Sequence, residues 1–140
     1  MCDKLKRHPL GFLQLKDLPS KEELEQYYVA KYYQQNKSSY QKSYSKTELK
    51  WIETRNQKIH LVLDEQLSKK TSKRLLDVGC GEGFALGYFK NLGWDVTGLD
   101  YSATGLEQHN SSLRNCLLTG DIFELLNDQI QNGLDYEVIL

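Results

Sequence analysis

The second half of the chain alternates short apolar runs with segments of helical periodicity. The apolar runs have the length and composition of buried strands, and they span residues 75–78, 94–100, 116–118 and 136–140. The segments between them predict helices over residues 84–92, 102–113 and 122–131. Strands separated by helices of this length are typical of βαβ units. The pattern therefore predicts an α/β fold with a parallel sheet.

The first half of the chain predicts helices, after an irregular start. Its first nineteen residues lack a regular period and are interrupted by Pro9 and Pro19, so they are expected to be irregular. Ser20 and Glu23 have the spacing of a capping box, in which two side chains satisfy amide groups at the start of a helix. This pair predicts a helix from Lys21 to about residue 35.

A second capping box and a longer apolar stripe predict another helix. Ser45 and Glu48 repeat the capping-box spacing. Apolar residues then recur at helical intervals to about residue 67, and they are Leu49, Ile52, Ile59, Leu63 and Leu67. The chain is thus expected to divide into an N-terminal helical extension over residues 1–70 and the first half of an α/β domain over residues 71–140.

Composition narrows the class of protein. Of the 140 residues, 39% are apolar and 26% are charged, and the formal net charge is −1. This balance gives no bulk attraction to nucleic acid or to an anionic membrane. No apolar stretch approaches the roughly 20 residues of a membrane-spanning helix, and the N terminus lacks the apolar segment of a secretory signal. We therefore expect a cytoplasmic protein without a nucleic-acid or membrane partner.

The cysteines indicate neither a disulfide framework nor a structural zinc site. Cys2, Cys80 and Cys116 are far apart in the sequence and form no C-x-x-C pair, so no metal ligands are assigned. Cys80 lies between two glycines. We interpret it as a small side chain that packs beside a ligand, because no histidine lies near it in the sequence to activate the thiol.

The first predicted strand runs into a glycine-rich loop with the sequence D-V-G-C-G-E-G. Gly79, Gly81 and Gly83 stand at alternate positions, and Asp77 precedes the first of them by two residues. A dinucleotide-binding fingerprint reads G-x-G-x-x-G, whereas Phe84 occupies the position of its third glycine here. The run resembles motif I of the class I S-adenosylmethionine (SAM) dependent methyltransferases.

Residues after the loop fit the same resemblance. Asp100 ends the second predicted strand, where an ionised carboxylate can accept hydrogen bonds from both hydroxyls of a ribose. By its resemblance to the family, the chain is expected to place Tyr101 at the border of the adenine. Asp121 is expected to meet the adenine amino group, and Ile122 to pack on the adenine ring.

The resemblance also assigns the loop itself. The segment from Gly79 to Gly83, which includes Cys80 and Gly81, is expected to lie under the ribose and methionine parts of SAM. Asp77 is expected to order the loop amides, to hold the amino end of the methionine part, or to do both. No residue is assigned as a catalytic base, because methyl transfer from a sulfonium needs one only when the acceptor is protonated.

The family implies both a fold and an activity. The implied fold is a Rossmann-like parallel sheet whose strand order begins 3-2-1-4, preceded by the N-terminal helical segment. The implied activity is SAM-dependent methyl transfer to a small-molecule or sugar-type acceptor, with S-adenosylhomocysteine (SAH) as product. The layout of residues 9–65 resembles that of bacterial methyltransferases associated with sugars and surface polysaccharides.

The N-terminal tyrosines allow two interpretations. They are either the packing face of an amphipathic helix or part of a lid over the cofactor and acceptor pocket. If they form a lid, Tyr40 and Tyr44 are the residues expected to reach the cofactor, because they follow the predicted helix in a segment that can fold back.

Two other function classes remain open. An oxidoreductase that binds nicotinamide adenine dinucleotide (NAD) also uses a glycine loop and an acidic residue after the second strand, although Phe84 argues against it. The chain is alternatively a non-catalytic fragment that binds SAM or a partner. Binding of SAH compared with binding of NAD separates the first alternative from the methyltransferase.

The last residue, Leu140, lies inside the fourth predicted strand. A sheet of the implied family has seven strands, so the sequence is expected to be the N-terminal piece of a longer enzyme, truncated after strand four and inactive alone. The unpaired edge of that strand is expected to favour self-association.

Overall fold

The computed structural model describes residues 4–28, 41–67 and 72–140. It begins with an antiparallel hairpin of strands β1 (Leu5–Arg7) and β2 (Leu13–Leu15), in which Leu5 pairs with Leu15. The prediction that this region is irregular was therefore wrong. Its strands have three residues each and are mostly exposed, so they leave no apolar period in the sequence.

Both capping boxes predicted from the sequence are present. Helix α1 (Lys21–Gln26) begins after Ser20, and helix α2 (Lys46–Gln66) begins after Ser45; each cap bonds the expected glutamate in both directions. The predicted extension of the first helix falls partly on residues 29–40, which lie outside the described residues. In the described segments, no helix has the length and apolar character needed to span a bilayer.

The rest of the chain forms alternating strands and helices. In chain order these are β3 (Arg74–Val78), α3 (Phe84–Asn91), β4 (Asp95–Asp100), α4 (Thr104–Asn110), a 3-10 helix (Ser111–Cys116), β5 (Leu117–Thr119), α5 (Ile122–Gln131) and β6 (Val138–Ile139). All four predicted strands and all three predicted helices have a counterpart. The predicted boundaries differ by up to three residues, and β6 is the shortest strand.

The strands β3 to β6 form one parallel sheet, which confirms the predicted α/β class. Their order across the sheet is β5-β4-β3-β6. The numbers differ from the predicted 3-2-1-4 because the hairpin supplies two earlier strands; within this sheet, the order is third, second, first, fourth. Strands β3 and β4 lie between the two outer strands. The carboxyl ends of β3 and β4 are therefore neighbours at the centre of the sheet.

The helix after β4 differs from its prediction. The sequence predicts a helix over residues 102–113, but α4 begins at Thr104 and a 3-10 helix replaces its last turn. Ser102 is buried, and its hydroxyl bonds Thr104 Oγ1 and accepts from the Thr104 amide. Its own amide donates to Asp100 Oδ1 at 3.0 Å. Ser102 therefore holds the turn between β4 and α4 instead of capping a longer helix.

The core lies between the sheet and helices α2, α3 and α4. Its fully buried apolar side chains include Leu75, Leu76, Leu86, Phe89, Leu99 and Leu106. The last part of the predicted stripe on α2 packs against this core through Ile59, Leu63 and Leu67. The first stripe residue, Leu49, is 43% exposed. The first half of α2 therefore extends past the core, beside the carboxyl ends of the strands.

Candidate functional site

A cavity of about 480 Å³ lies at the carboxyl ends of β3, β4 and β6. The loops after these strands, helix α2 and the segment after α1 contribute to its wall. Its lining residues are Tyr28, Arg55, Asn56, Ile59, Asp77, Gly79, Cys80, Gly81, Glu82, Phe84, Ala85, Asp100, Tyr101, Ile122 and Leu140. Most of the residues selected from the sequence therefore meet at one place.

The glycine loop lies open to this cavity. Gly79 and Gly81 have φ angles of +78° and +55°, a region that favours glycine. A Cβ atom at either position would meet no heavy atom within 4 Å, so the backbone borders open space. The amides of Gly79 and Cys80 both donate to the carbonyl oxygen of Leu99, at 2.7 and 3.1 Å. The loop is thus fixed to the neighbouring strand while its outer face stays accessible.

Asp100 connects the loop to the end of β4. Its Oδ2 accepts from the Gly81 amide at 2.9 Å, and its Oδ1 accepts from the Ser102 amide at 3.0 Å. The side chain is buried, and this burial raises the pKa of its carboxyl despite the backbone hydrogen bonds, which lower it. Because a carboxylate oxygen accepts more than one hydrogen bond, Asp100 retains acceptor capacity toward the cavity.

Asp77 lies on the adjacent strand β3 and is also buried. Burial raises the pKa of Asp77 to about 6; the positive charge of Arg55 opposes the shift, and the negative charge of Asp100 adds to it. A carboxyl with such a pKa is close to its titration range at physiological pH. A cationic group in the cavity would therefore stabilise its ionised form.

Helix α2 supplies two polar groups that sequence reasoning missed. Arg55 and Asn56 both line the cavity. Asn56 is 1% exposed, and its Nδ2 donates to the Phe84 carbonyl at 3.3 Å. Within the described segments, its Oδ1 has no hydrogen-bond partner. The sequence contained a sign of this position, because Asn56 interrupts the apolar stripe between Ile52 and Ile59.

Cys80 lines the cavity and is well packed. It is 8% exposed. Burial, followed by the charges of Asp77 and Asp100, raises the pKa of its thiol far above the usual range. A Cβ atom built on Gly98 of β4 would lie 2.8 Å from Cys80 Sγ, so the sulfur fills the space beside that glycine. These surroundings disfavour a thiolate and agree with a packing role.

Of the three predicted site residues Tyr101, Asp121 and Ile122, two line the cavity and one does not. Tyr101 and Ile122 line the cavity. The side chain of Asp121 instead caps α5, where Oδ1 accepts from the amides of Phe123 and Glu124. Its Oδ2 accepts from the Tyr101 hydroxyl at 3.0 Å. Asp121 is thus placed to hold Tyr101 at the cavity wall, and the structure does not bring its carboxylate to the cavity itself.

Gly83, the last glycine of the loop, packs against helix α4. It precedes α3 with a φ angle of +73°. A Cβ atom there would lie 2.9 Å from Leu106 Cδ1, so the residue permits close packing between the loop and α4. Gly83 is not among the residues that line the cavity.

The tyrosines differ in their relation to the cavity. Tyr44 bonds the Glu82 carboxylate at 2.8 Å and contacts Phe84 edge to face, but it does not line the cavity. Tyr40 lies outside the described residues. Tyr28, which was not selected from the sequence, stacks on Tyr101 with ring centroids 5.1 Å apart and borders the cavity.

A second groove of about 430 Å³ adjoins the cavity. The two share Arg55, Glu82 and Phe84. The groove is completed by Gln41, Tyr44, Glu48, Trp51 and Ile52. It therefore combines aromatic rings with carboxylates directly beside the glycine loop.

Comparisons with known proteins place the chain in a recognised family. The family described as "Methyltransferase domain" matches residues 50–132, which is more than half of the chain. The solved structures that match include the crystal structure of PH0226 protein from Pyrococcus horikoshii OT3. That match has 19% sequence identity and a TM-score of 0.30, and it covers 83% of this chain but only 38% of that chain. No curated protein matches.

Proposed function

The chain belongs to the methyltransferase domain family, and we propose that it is the cofactor-binding part of a class I enzyme that takes its methyl group from SAM. The observation that carries this proposal is the open glycine loop, which lies between two buried aspartates at adjacent strand ends. Nucleoside ligands of open α/β sheets bind at this end of the strands.

The residues present fit the chemistry of SAM. The absence of side chains at Gly79 and Gly81 lets a ligand approach the backbone. Asp100 has acceptor capacity left for ribose hydroxyls, and Tyr101 and Ile122 offer flat and apolar surface for an adenine ring. The volume of about 480 Å³ is also ordinary for a small-molecule site.

The roles of the protein groups follow from these positions. When bound, SAM supplies a methyl group on a sulfonium, which is the electrophile of the reaction. Asp100 and the glycine loop would fix the nucleoside, so the reacting end is held in one orientation relative to the acceptor. The apolar side chains Phe84, Ile59 and Leu140 would exclude water from the other wall of the cavity.

The second groove supports a sugar-type or other small polar acceptor. Trp51 is 65% exposed beside Phe84 and Tyr44, and aromatic faces of this kind pack against the apolar faces of sugar rings. Glu48 and Glu82 can accept hydrogen bonds from hydroxyl groups. The groove shares three lining residues with the cavity, so an acceptor bound there would lie next to the proposed cofactor site.

Calorimetric titration tests the cofactor and separates the alternatives. We expect SAH to bind with a dissociation constant of about 1 to 100 micromolar and NAD to show no binding at the same concentrations. Tight NAD binding without SAH binding would favour the oxidoreductase. SAH binding without methyl transfer from SAM to any of a panel of sugar-type and other small-molecule acceptors would favour the non-catalytic alternative.

A further inference from the structure

We propose that Arg55 and Asn56 of α2 recognise the α-amino-acid end of the cofactor. In this arrangement the Arg55 guanidinium binds the ligand carboxylate, and Asn56 Oδ1 accepts a hydrogen bond from the ligand ammonium group. The inference rests on the proposed function, because it assigns residues to one end of SAM. Both residues belong to helix α2, which precedes the glycine loop in the sequence. The rest of the proposed site comes from the loop and the strand ends.

The buried amide of Asn56 is the first observation. A polar atom without a partner in such an environment costs about 1 to 3 kcal/mol. Because the Phe84 carbonyl is an acceptor, only the amide nitrogen can bond it, and this fixes the side-chain orientation. The remaining atom, Oδ1, is an acceptor without a partner in the described segments, and the residue borders the cavity. The complementary ligand group is therefore a hydrogen-bond donor.

The charges around the cavity are the second observation. Among the described residues that line it, Arg55 is the one cation, and it lies close enough to Asp77 to lower the pKa of that carboxyl. A site that combines a guanidinium with a carboxylate and an amide oxygen matches a zwitterion. The guanidinium forms paired hydrogen bonds with a carboxylate, and Asp77 and Asn56 can share the ammonium.

The order of the strands agrees with this assignment. Asp77 is on β3, between Leu140 at the end of β6 and Asp100 at the end of β4. Neighbouring strands lie about 5 Å apart, so an amino-acid end near Asp77 and a ribose near Asp100 are separated by a distance that a homocysteine chain spans. Asn56 is held at this end by its bond to Phe84, the first residue of α3.

Two ligands that differ only in the amino-acid end provide the test. SAH contains the end, whereas 5′-methylthioadenosine replaces it with a methyl group. Calorimetry on Arg55→Gln should show SAH affinity reduced by about tenfold to a hundredfold, and 5′-methylthioadenosine affinity within about twofold of the wild type.

Asn56→Leu should show the same selective loss of SAH affinity, and thermal melting checks that this variant is folded. Since Arg55 lies on the surface, its variant carries the test if Asn56→Leu does not fold.

Lys58→Gln is the matched control, because Lys58 is an exposed cation on the same helix and does not line the cavity. It should leave both affinities unchanged. An equal loss of both ligands in Arg55→Gln, or wild-type affinities that do not differ between the two ligands, would overturn the inference alone. Wild-type protein that binds neither ligand would instead contradict the proposed function, and the inference would fall with it.

Discussion

Asp77 and Asp100 occupy neighbouring strand ends, yet their surroundings assign them different tasks. Asp100 accepts hydrogen bonds from two backbone amides, one of them in the glycine loop. The ionisation of Asp77 is governed mainly by burial, with the charge of Arg55 as the chief opposing influence. Asp100 therefore orders the loop and keeps acceptor capacity toward the cavity, whereas the ionisation of Asp77 would respond to a charged group placed beside it.

Replacing Asp100 should remove affinity for the nucleoside. We expect Asp100→Ala to weaken SAH binding by about 2 to 4 kcal/mol, because charge-assisted hydrogen bonds to the ligand are lost and the Gly81 amide loses its acceptor. Asp95→Ala is the control, because Asp95 begins the same strand with a side chain that is 79% exposed. Unchanged SAH affinity in folded Asp100→Ala, measured by calorimetry, would remove Asp100 from the site.

Replacing Asp77 should stabilise the fold at neutral pH. The pKa of Asp77 is about 6, above the usual value of 3.8. Its favourable contribution to stability is therefore present below about pH 4 and is lost as the pH rises through 6. Asp77→Asn should raise the free energy of unfolding at about pH 7 by about 1 to 3 kcal/mol, with little difference near pH 4.

Urea unfolding of the two proteins across this pH range measures the effect of Asp77. Asp95→Asn is the control for the loss of one acidic side chain, because Asp95 is 79% exposed. An Asp77→Asn protein that is less stable than wild type at neutral pH would contradict the account of burial.

At the scale of elements, the glycine loop is positioned by close packing on β4. A Cβ atom at Gly98 would lie 2.6 Å from Leu86 Cδ1 and 2.8 Å from Cys80 Sγ. The loop, α3 and β4 thus meet at a residue without a side chain. A lone glycine inside a strand carries no such information in the sequence, because the neighbours that need the space, Leu86 and Cys80, are brought to it only by the fold.

A methyl group at this contact should destabilise the protein. We expect Gly98→Ala to lower the free energy of unfolding by about 1 to 3 kcal/mol, because Leu86 and Cys80 must move. Gly87→Ala is the matched control: its Cβ would lie 3.4 Å from the nearest atom, and alanine favours a helix. Chemical denaturation in which Gly98→Ala is as stable as wild type would contradict the packing account.

Helices and strands were predictable from the sequence where they are long enough for their apolar residues to repeat at a regular interval. The helices with capping boxes and the buried strands were identified because their patterns repeat. The hairpin of β1 and β2 was missed because three exposed residues per strand do not establish a period. The end of α4 was misassigned because the seven-residue spacing of Leu106 and Leu113 also fits a continuous α-helix, whereas residues 111–116 form a 3-10 helix.

The candidate site was predictable in the same uneven way. Residues of the loop and strand ends were selected because the D-V-G-C-G-E-G run and the positions after it resemble those of the class I SAM-dependent methyltransferases. Arg55 and Asn56 of α2 and Tyr28 after α1 were missed because the placement of these segments beside the sheet is decided by distant packing. The roles assigned to the residues that line the cavity remain predictions.

At the scale of the whole molecule, the sheet has an open edge. β6 pairs with β3, and in the described part of the chain no strand pairs with its outer edge. Ile139 in β6 is 66% exposed. Such an edge offers unpaired amides and carbonyls to another chain.

The 140-residue chain is therefore expected to self-associate. Sedimentation at about 50 micromolar should detect dimers or larger species, and Ile139→Lys should shift the distribution toward monomer because a charge on an edge strand opposes pairing. Leu61→Lys is the control, since Leu61 is 64% exposed and lies on helix α2, not on an edge strand. A strictly monomeric wild type would contradict the prediction.

The central claim is that the cavity at the strand ends binds SAM, and amide chemical shifts measured during titration with SAH test it most directly. We predict saturable shifts of the amides of Gly79, Gly81, Tyr101 and Ile122, while the amides of β1 and β2 stay unchanged. Saturable shifts confined to another surface, or no shifts at millimolar SAH, would contradict the claim.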